Sequence, residues 1–287
     1  GAAALARGLT GYPRRIVCAA HGRELLFNPL SGLPGGEAAY DRLRRWALAQ
    51  SDALLPVSRY TAGLLEDQGA PPRRLRVVPN GTNPTRFQPR GGTALRDRLG
   101  IGARPMLLTV GRLVPRKGID TVLRALPQVA ASVPAVQYVV AGTGPDRDRL
   151  ERLAVRRGVS NRVHFVGHVS DDALAAYYSA ADLFVMPARN APPDVEGFGL
   201  VFLEANACGT PSVGARSGGI PDAIVDGETG LLVPPAAPGA LASALTALLR
   251  TPGWIDTLGR QGRARTVHTA NWAQVTARIH DVLTDVG

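Results

Sequence analysis

Residue types that suit anion binding come together in the stretch VGRLVPRKG, residues 110–118. A glycine follows a predicted strand, cations come next, and a helix is predicted to begin near Ile119. Free amides and the dipole at a helix start attract an anion, and an arginine can hold a phosphate through two parallel hydrogen bonds. The spacing is not that of a Walker loop. The sequence predicts a phosphate-binding loop with Arg112 and Lys117; the alternative is a solvated loop of an arginine-rich chain.

Lys117 stands out because it is the single lysine among 33 Lys plus Arg residues. Its neighbours Arg112 and Arg116 are arginines, like every other basic residue of that set. A compact ammonium on a thin stem can reach between two phosphates where a planar guanidinium would not fit. Lys117 is therefore suited to contact two phosphates of one ligand; the alternative is that the last lysine of the chain survived in a solvated loop by chance.

A second stretch, DVEGFGLVFLEANAC at 194–208, carries two glutamates eight residues apart. Gly197 and Gly199 allow the backbone to approach a ligand and to point its amides at it. If all residues between them were helical, Glu196 and Glu204 would lie roughly 12 Å apart along the axis. That separation suits two parts of one extended ligand and not a shared metal. The alternative is an acidic residue at a helix start plus an ordinary surface glutamate.

Short apolar runs alternate with helix-periodic segments along the chain, as expected for strands that are buried on both faces. Nine runs are predicted as strands: 15–20, 53–57, 75–79, 106–110, 137–142, 162–167, 182–187, 211–215 and 230–234. Helical patterns lie between several of them. The alternation predicts an α/β fold with a parallel, doubly wound sheet, in which ligands bind beyond the carboxyl ends of the strands. Both stretches with candidate chemistry follow such strands.

A segment rich in Pro, Gly and Asn, PNGTNPTRFQPRGG at 79–92, is predicted as a hinge. Six predicted strands follow it, which is enough for a complete doubly wound domain, and only three precede it. We expect a partial N-terminal domain, residues 1–88, and a ligand-binding C-terminal domain, residues 89–287. The last helix, at about 271–285, is expected to pack back on the N-terminal domain.

Composition argues against several classes of function. The net charge of +10 is spread along the chain and is not interleaved with aromatic residues, so nucleic-acid binding is not indicated. The two cysteines and five histidines show no metal-ligand spacing, and both cysteines are predicted to be buried thiols in a reducing compartment. No apolar run reaches the roughly 18 to 20 residues that span a bilayer.

In several motifs and in their order, the chain resembles the nucleotide-binding half of the retaining glycosyltransferases of family 4. The motifs are VGRLVPRKG, GTG after a strand, MPAR, DVEGFGLVFLEANACGTPSV and SGGIPDAIVDGETGLLVPP. Earlier, IVCAAHGREL and DALLPVSRYTAGLL resemble the later part of that family's acceptor domain, so the resemblance covers essentially the whole chain. It implies the GT-B fold of two Rossmann-like domains. The N-terminal one is expected to be incomplete and the chain to be a fragment, because the family's initial strand and glycine-rich loop are not visible.

The resemblance also implies roles at matching positions. Arg112 and Lys117 would hold the donor diphosphate and neutralise the charge that develops as it leaves. A divalent metal does this in other transferases, so no metal or cofactor is implied. Glu196 would contact the donor sugar, and His21 would reach across the cleft to it; a structural role for His21 is the alternative. Other donor contacts are implied for Gly111, Gly142, the base-facing Gly167, His168 and Val169, the amides of Gly197, Phe198, Gly199 and Leu200, and the ribose-binding Glu204.

RLVPRKG, MPAR and DVEG look most like the actinobacterial phosphatidylinositol mannosyltransferases, which use GDP-mannose. The implied reaction is retaining transfer of a hexosyl group, with mannose favoured, to a hydroxyl of a lipid or saccharide acceptor. A UDP-sugar-dependent enzyme of the same fold and a non-catalytic nucleotide-sugar-binding fragment are the alternatives. A dinucleotide oxidoreductase is disfavoured because GTGPDR, 142–147, lacks the third glycine. The expected location is cytoplasmic, and the basic surface suits peripheral contact with anionic lipid at the inner face of the cell membrane.

Overall fold

The computed structural model describes residues 15–286, which form two parallel sheets. Two strands form the smaller sheet, and six form the larger one. The strands are β1 (Val17–Ala20), β2 (Ala53–Pro56), β3 (Met106–Val110), β4 (Gln137–Ala141), β5 (Val163–Gly167), β6 (Leu183–Met186), β7 (Ser212–Ala215) and β8 (Gly230–Val233).

The larger sheet has the strand order β5-β4-β3-β6-β7-β8, and all its neighbouring strands are parallel. From β3 the chain winds outward through β4 to β5, returns to the other side of β3 with β6, and winds outward again. Every residue of β3, β4 and β6 is buried, as strands covered on both faces require. The predicted doubly wound parallel sheet is therefore confirmed, and its switch point lies between β3 and β6.

Helices cover both faces of the larger sheet. The helices are α1 (Arg23–Leu26), α2 (Gly36–Ala49), α3 (Arg59–Asp67), α4 (Thr93–Arg98), α5 (Ile119–Ser132), α6 (Arg147–Arg156), α7 (Leu174–Ala180), α8 (Leu200–Ala207), α9 (Ile220–Ala223), α10 (Pro238–Leu249), α11 (Pro252–His268) and α12 (Trp272–Val286). One hydrophobic cluster packs α7, α8 and α9 against one face of the larger sheet, and the other packs α5, α6 and α10 against the opposite face.

The smaller sheet departs from the prediction in two respects. Residues 75–79 form no strand: this segment makes one bridge, Leu54 to Leu75, and two backbone hydrogen bonds to β2. The segment donates from Arg76 and Val78 to the carbonyl oxygens of Leu54 and Pro56, but Pro56 of β2 has no N–H with which to return a hydrogen bond, which limits the pairing. Cys18 is half-buried in β1, which pairs only with β2 among residues 15–286, whereas Cys208 is buried as predicted.

The C-terminal helix α12 reaches the smaller sheet. Its Val275 and Val282 belong to one buried cluster with Ala53, Leu55 and Val78. Immediately before α12, the backbone at Asn271 pairs with Thr82 in the segment predicted as a hinge. The last helix therefore packs on elements from the N-terminal part of the chain.

Candidate active site

Loops after three neighbouring strands form a cleft at the carboxyl edge of the larger sheet. Its volume is about 510 Å³, and its walls follow β3, β4 and β5. Five of the residues predicted to contact a donor line it: Gly111, Arg112, Gly142, His168 and Val169. The fold thus brings together residues that lie far apart in the sequence, at the edge where an open α/β sheet binds its ligands.

The floor of the cleft depends on the close approach of three backbones. Gly142 has a φ of 140°, and a methyl group added there would lie 1.9 Å from the carbonyl oxygen of Gly111. The Gly142 N–H donates to the carbonyl oxygen of Gly167 over 2.7 Å. Three predicted donor-binding glycines therefore join the ends of β3, β4 and β5 without side chains between them, which keeps the cleft open to a ligand.

Lys117 lies between the cleft and the loop after β6. It ends a short 3₁₀ turn, and α5 begins two residues later. The side chain is only 10% exposed, and its stem passes Gly111, where an added methyl group would lie 3.5 Å from Lys117 Cε. Its Nζ is 2.6 Å from Oε2 of Glu196. The single lysine of the chain therefore joins the two loops predicted to bind phosphate and sugar.

Glu196 receives two cations on one carboxylate oxygen. Arg116 Nη1 also lies 2.6 Å from Oε2, the atom that Lys117 contacts. Burial would raise the pKa of the Glu196 carboxyl, but the charges of Lys117 and Arg116 outweigh burial and hold that pKa below its ordinary value. Glu196 is therefore ionised at neutral pH. Its Oε1 accepts no hydrogen bond from residues 15–286, so it can accept one from a ligand hydroxyl.

The two arginines of this loop have different surroundings. Arg112 is exposed and lines the cleft, and its side chain makes no hydrogen bond or ion pair with another described residue. Arg116, for which the sequence predicts no role, is the one that pairs with Glu196. In the sequence, only its position next to Lys117 indicated that Arg116 could belong to the site. The structure thus leaves the Arg112 guanidinium free for an anion and uses Arg116 to hold the glutamate.

The start of α8 offers unpaired backbone donors beside Glu196. The helix begins at Leu200, so Glu196 lies in the preceding loop, and the separation expected for a continuous helix does not apply. The Phe198 ring is buried in the core, which leaves only its backbone to face a ligand. The amides of residues 197–200 donate no hydrogen bond to any acceptor among residues 15–286. Such amides at a helix start favour an anionic or polar group.

Glu204 is held in place by Tyr178, which belongs to a row of packed aromatic rings. The Tyr178 hydroxyl donates to Glu204 Oε2 over 2.7 Å, and edge-to-face ring contacts run from Tyr178 through Phe184 to Phe202. Burial raises the pKa of Glu204 above its ordinary value, although the hydrogen bond from Tyr178 opposes the shift. The prediction that this carboxylate is not an ordinary surface group is consistent with this environment.

The N-terminal part of the chain reaches the site through its backbone at His21. A methyl group added at Gly197 would lie 1.8 Å from the His21 carbonyl oxygen, so the two main chains are in contact. The His21 side chain is exposed, and its ring makes no hydrogen bond with residues 15–286; its backbone N–H donates to Glu24. The structure therefore brings His21 next to the loop that carries Glu196 and leaves its imidazole free.

Three further side chains around the site were missed by sequence reasoning: Asp120, Tyr178 and Arg189. In the sequence, Asp120 has the pattern of an ordinary acidic residue in the first turn of a helix, and Tyr178 has that of a buried position in an amphipathic helix. Arg189 is one of many arginines. No local pattern distinguishes them, because their roles come from partners on other elements.

Residues 15–286 contain no group of three or more His, Cys, Asp or Glu side chains that could hold a metal ion. In the same part of the chain, none of the helices combines the length and the apolar character needed to cross a bilayer. Donor binding without a metal stays a prediction.

The chain thus has a doubly wound sheet with a cationic loop at its switch point, and a loop that follows a strand of the smaller parallel sheet contacts the loop of Glu196. This is the architecture of the GT-B glycosyltransferases. The fold is similar to that of HepE from Anabaena, solved with UDP and glucose, with a TM-score of 0.82 over 98% of this chain and 74% of HepE at 22% identity. The model of the family described as Glycosyl transferases group 1 matches residues 93–265, and that of Glycosyltransferase Family 4 matches residues 1–86. The chain belongs to the family 4 glycosyltransferases.

Two relatives illustrate the range of this similarity. The chain is 36% identical over 274 residues to the GDP-mannose-dependent alpha-(1-6)-phosphatidylinositol monomannoside mannosyltransferase of Mycolicibacterium smegmatis, covering 94% of this chain and 70% of the relative. It is 41% identical over 213 residues to the D-inositol 3-phosphate glycosyltransferase of Geodermatophilus obscurus, covering 70% of this chain and 46% of that protein. The predicted resemblance to phosphatidylinositol mannosyltransferases is confirmed.

Proposed function

We propose that this glycosyltransferase moves mannose from GDP-mannose to a hydroxyl of a mannosylated phosphatidylinositol, with retention at the anomeric carbon and without a metal ion. The observation that carries the proposal is the pairing of Lys117 with Glu196 beside a cleft that Arg112 also lines. This arrangement offers positive charge for a diphosphate next to an acceptor for sugar hydroxyls. The name of the Mycolicibacterium smegmatis relative supports the choice of GDP-mannose and of the acceptor class.

Each part of the donor then has a partner. Lys117 and Arg112 bind the diphosphate, and the amides at the start of α8 add hydrogen bonds to the phosphate and the sugar. Oε1 of Glu196 accepts a sugar hydroxyl, while Arg116 holds its other oxygen. Glu204 accepts hydrogen bonds from the ribose. The base lies at the loop of Gly167, His168 and Val169.

The reaction follows from charge placement. As the bond between the anomeric carbon and the diphosphate oxygen breaks, Lys117 and Arg112 stabilise the negative charge that grows on the leaving group. The acceptor hydroxyl oxygen forms the new bond on the same face, and its proton passes to the departing phosphate oxygen. Glu196 is not assigned as a nucleophile, because two cations already bind its carboxylate. It orients the sugar instead.

A transfer assay tests the proposal directly. The protein is incubated with GDP-mannose and phosphatidylinositol monomannoside in the presence of a chelator, and the product is analysed by mass spectrometry and NMR. We expect one added mannose with the α configuration of the donor. No transfer from any nucleotide-sugar, an inverted product, or strict dependence on a divalent metal would each contradict a stated part of the proposal.

A UDP-sugar donor is the second candidate. HepE, whose fold this chain shares, was solved with UDP and glucose, and the contacts assigned to the base are largely backbone contacts that do not select a base by side-chain chemistry. Thermal shifts with GDP, UDP and ADP distinguish the candidates. We expect the largest stabilisation with GDP, because a ligand stabilises the folded state according to its affinity. A larger shift with UDP would favour the second candidate.

Replacing Glu204 by glutamine should separate stability from donor binding. Because the fold raises the pKa of Glu204, the unfolded chain releases this proton more readily, and ionisation at neutral pH destabilises the fold. We expect Glu204→Gln to raise the thermal unfolding midpoint at pH 7, with a difference that shrinks as the pH falls towards the ordinary pKa of a glutamate. Loss of a charged acceptor for the ribose should weaken donor binding about tenfold or more.

Calorimetry with the donor and thermal unfolding at several pH values check both parts of this prediction. Glu66→Gln, at an exposed glutamate of α3, is the matched control and should change neither quantity. Donor affinity equal to that of the wild type would remove Glu204 from the ribose site. A lower unfolding midpoint at pH 7 would contradict the burial argument.

A further inference from the structure

Asp120 is a buried carboxylate that lies outside the cleft. It stands in the first turn of α5, three residues after Lys117, and is 3% exposed. It does not line the cleft, so it has no direct route to a donor. An ionised carboxylate is buried at this depth only where charges and hydrogen bonds compensate the loss of water. Its partners therefore indicate what the position does.

Guanidinium groups from three elements surround Asp120. Arg124, one turn along α5, donates to Oδ2 over 2.7 Å. Arg189, from the loop after β6, donates from one Nη2 to both oxygens, over 3.0 and 3.1 Å. Arg149 of α6 lies 3.8 Å away and is bound more closely by Asp146. The carboxylate thus joins α5 to two other elements, and its shortest contact outside its own helix is with Arg189.

Arg189 holds the loop of Lys117 at two points. Its backbone N–H donates to the carbonyl oxygen of Arg116 over 2.8 Å, and its side chain binds Asp120. Lys117 lies between these two attachment points. The loop that supplies Arg189 continues to Glu196, the carboxylate to which Lys117 binds. Asp120 and Arg189 therefore form a brace that fixes the separation between the cationic loop and the glutamate loop.

We infer that Asp120 is a positioning residue for diphosphate binding, acting through Arg189. This inference rests on the proposed function, because it assumes that Lys117 contacts the diphosphate. A charged side chain contributes most when its geometry is fixed before the ligand arrives, and a shift of about 1 Å in its support is enough to weaken the contact. Without the brace, the loop of Lys117 keeps its residues but loses the fixed distance to Glu196.

The test compares ligands with and without phosphates. Binding of GDP and guanosine is measured by calorimetry, with UDP and uridine run in parallel so that the result does not depend on the base. The first variant is Asp120→Asn, which keeps the shape and removes the charge. We expect the affinity for the nucleoside diphosphate to fall at least tenfold while the affinity for the nucleoside stays unchanged.

Arg189→Gln is the second variant, and it covers the case in which Asp120→Asn lowers stability too far to be studied. It should produce the same selective loss, and the double variant should lose no more than either single one, because both residues act in one unit. Arg124→Gln is the matched control. It removes another guanidinium from the same carboxylate but leaves the two loops tied together, so the affinity for the diphosphate should be retained.

The outcomes separate this inference from the proposed function. If Lys117→Ala weakens diphosphate binding but Asp120→Asn and Arg189→Gln do not, the brace has no role and the inference is overturned. An equal loss for nucleoside and diphosphate in the brace variants, or a loss in Arg124→Gln as large as theirs, overturns it as well. If Lys117→Ala leaves diphosphate binding unchanged, the proposed function fails instead.

Discussion

Lys117→Ala is expected to lower kcat/KM for the donor by about 10²- to 10³-fold, the size of loss seen when one fixed donor is removed from a charge-stabilising site. The change deletes the ammonium at the point where negative charge grows as the diphosphate leaves. It also leaves Glu196 with one cation instead of two, so the carboxylate repels the diphosphate more strongly. The Kd of GDP should therefore rise together with the loss of turnover.

Lys117→Arg tests whether shape or only charge is required. The side chain is 10% exposed and lies between Gly111 and Glu196, so a planar guanidinium cannot take the same place. We expect most of the loss caused by alanine to persist. Arg156→Ala removes one exposed positive charge from α6 and serves as the control. Steady-state kinetics and calorimetry give both quantities; unchanged affinity and turnover in both Lys117 variants would remove this residue from the donor site.

Glu196→Gln is expected to reduce turnover as strongly as a change at Lys117 but to have the opposite effect on GDP. Loss of the acceptor that orients the sugar should lower kcat by about 10²-fold, because the missing contact matters most in the transition state. In the free protein, however, Glu196 forms ion pairs with Lys117 and Arg116 and so competes with the diphosphate for these cations. With a neutral amide in its place, both cations are available to the diphosphate. The affinity for GDP should therefore stay equal or rise.

Stability gives a second readout for the same variant. Two largely buried cations lose their counter-ion, which should lower the free energy of unfolding by about 3 kcal/mol. GDP restores a partner for them, so the thermal shift on adding GDP should at least equal that of the wild type. Glu228→Gln, at an exposed glutamate, is the control for loss of a negative charge. A GDP affinity reduced as far as in Lys117→Ala would show that Glu196 does not compete with the diphosphate.

Much of the fold follows from local pattern. Runs such as MLLTV and QYVVA are apolar on both faces, and they became the central strands β3 and β4 within a residue of the predicted bounds. The prediction was wrong at 75–79, where the run LRVVP includes the exposed Arg76 and makes only a single bridge. Whether a run pairs along its length depends on neighbours that the run itself does not contain, here Pro56 of β2, which has no N–H to donate.

Candidate residues for the site could also be found in the sequence, because a few polar residues are unusual in type or in position. Lys117 is the single lysine, and Glu204 lies among apolar helix positions. Chemical type, order along the chain and position after a strand were enough to select the two loops. These are properties of each segment by itself, so the sequence determines them.

Only the tertiary structure decided which side chains meet. Arg116 rather than Arg112 pairs with Glu196, Tyr178 donates to Glu204, and the main chain at His21 contacts Gly197. The order of the strands brings β3 beside β6, and this places the loop of Lys117 against a loop about 80 residues later. Contacts of this kind depend on which strands are neighbours and on how side chains are oriented between them. A sequence pattern gives neither the strand neighbours nor these orientations, because it specifies the type of each residue and not which residue lies opposite it in space.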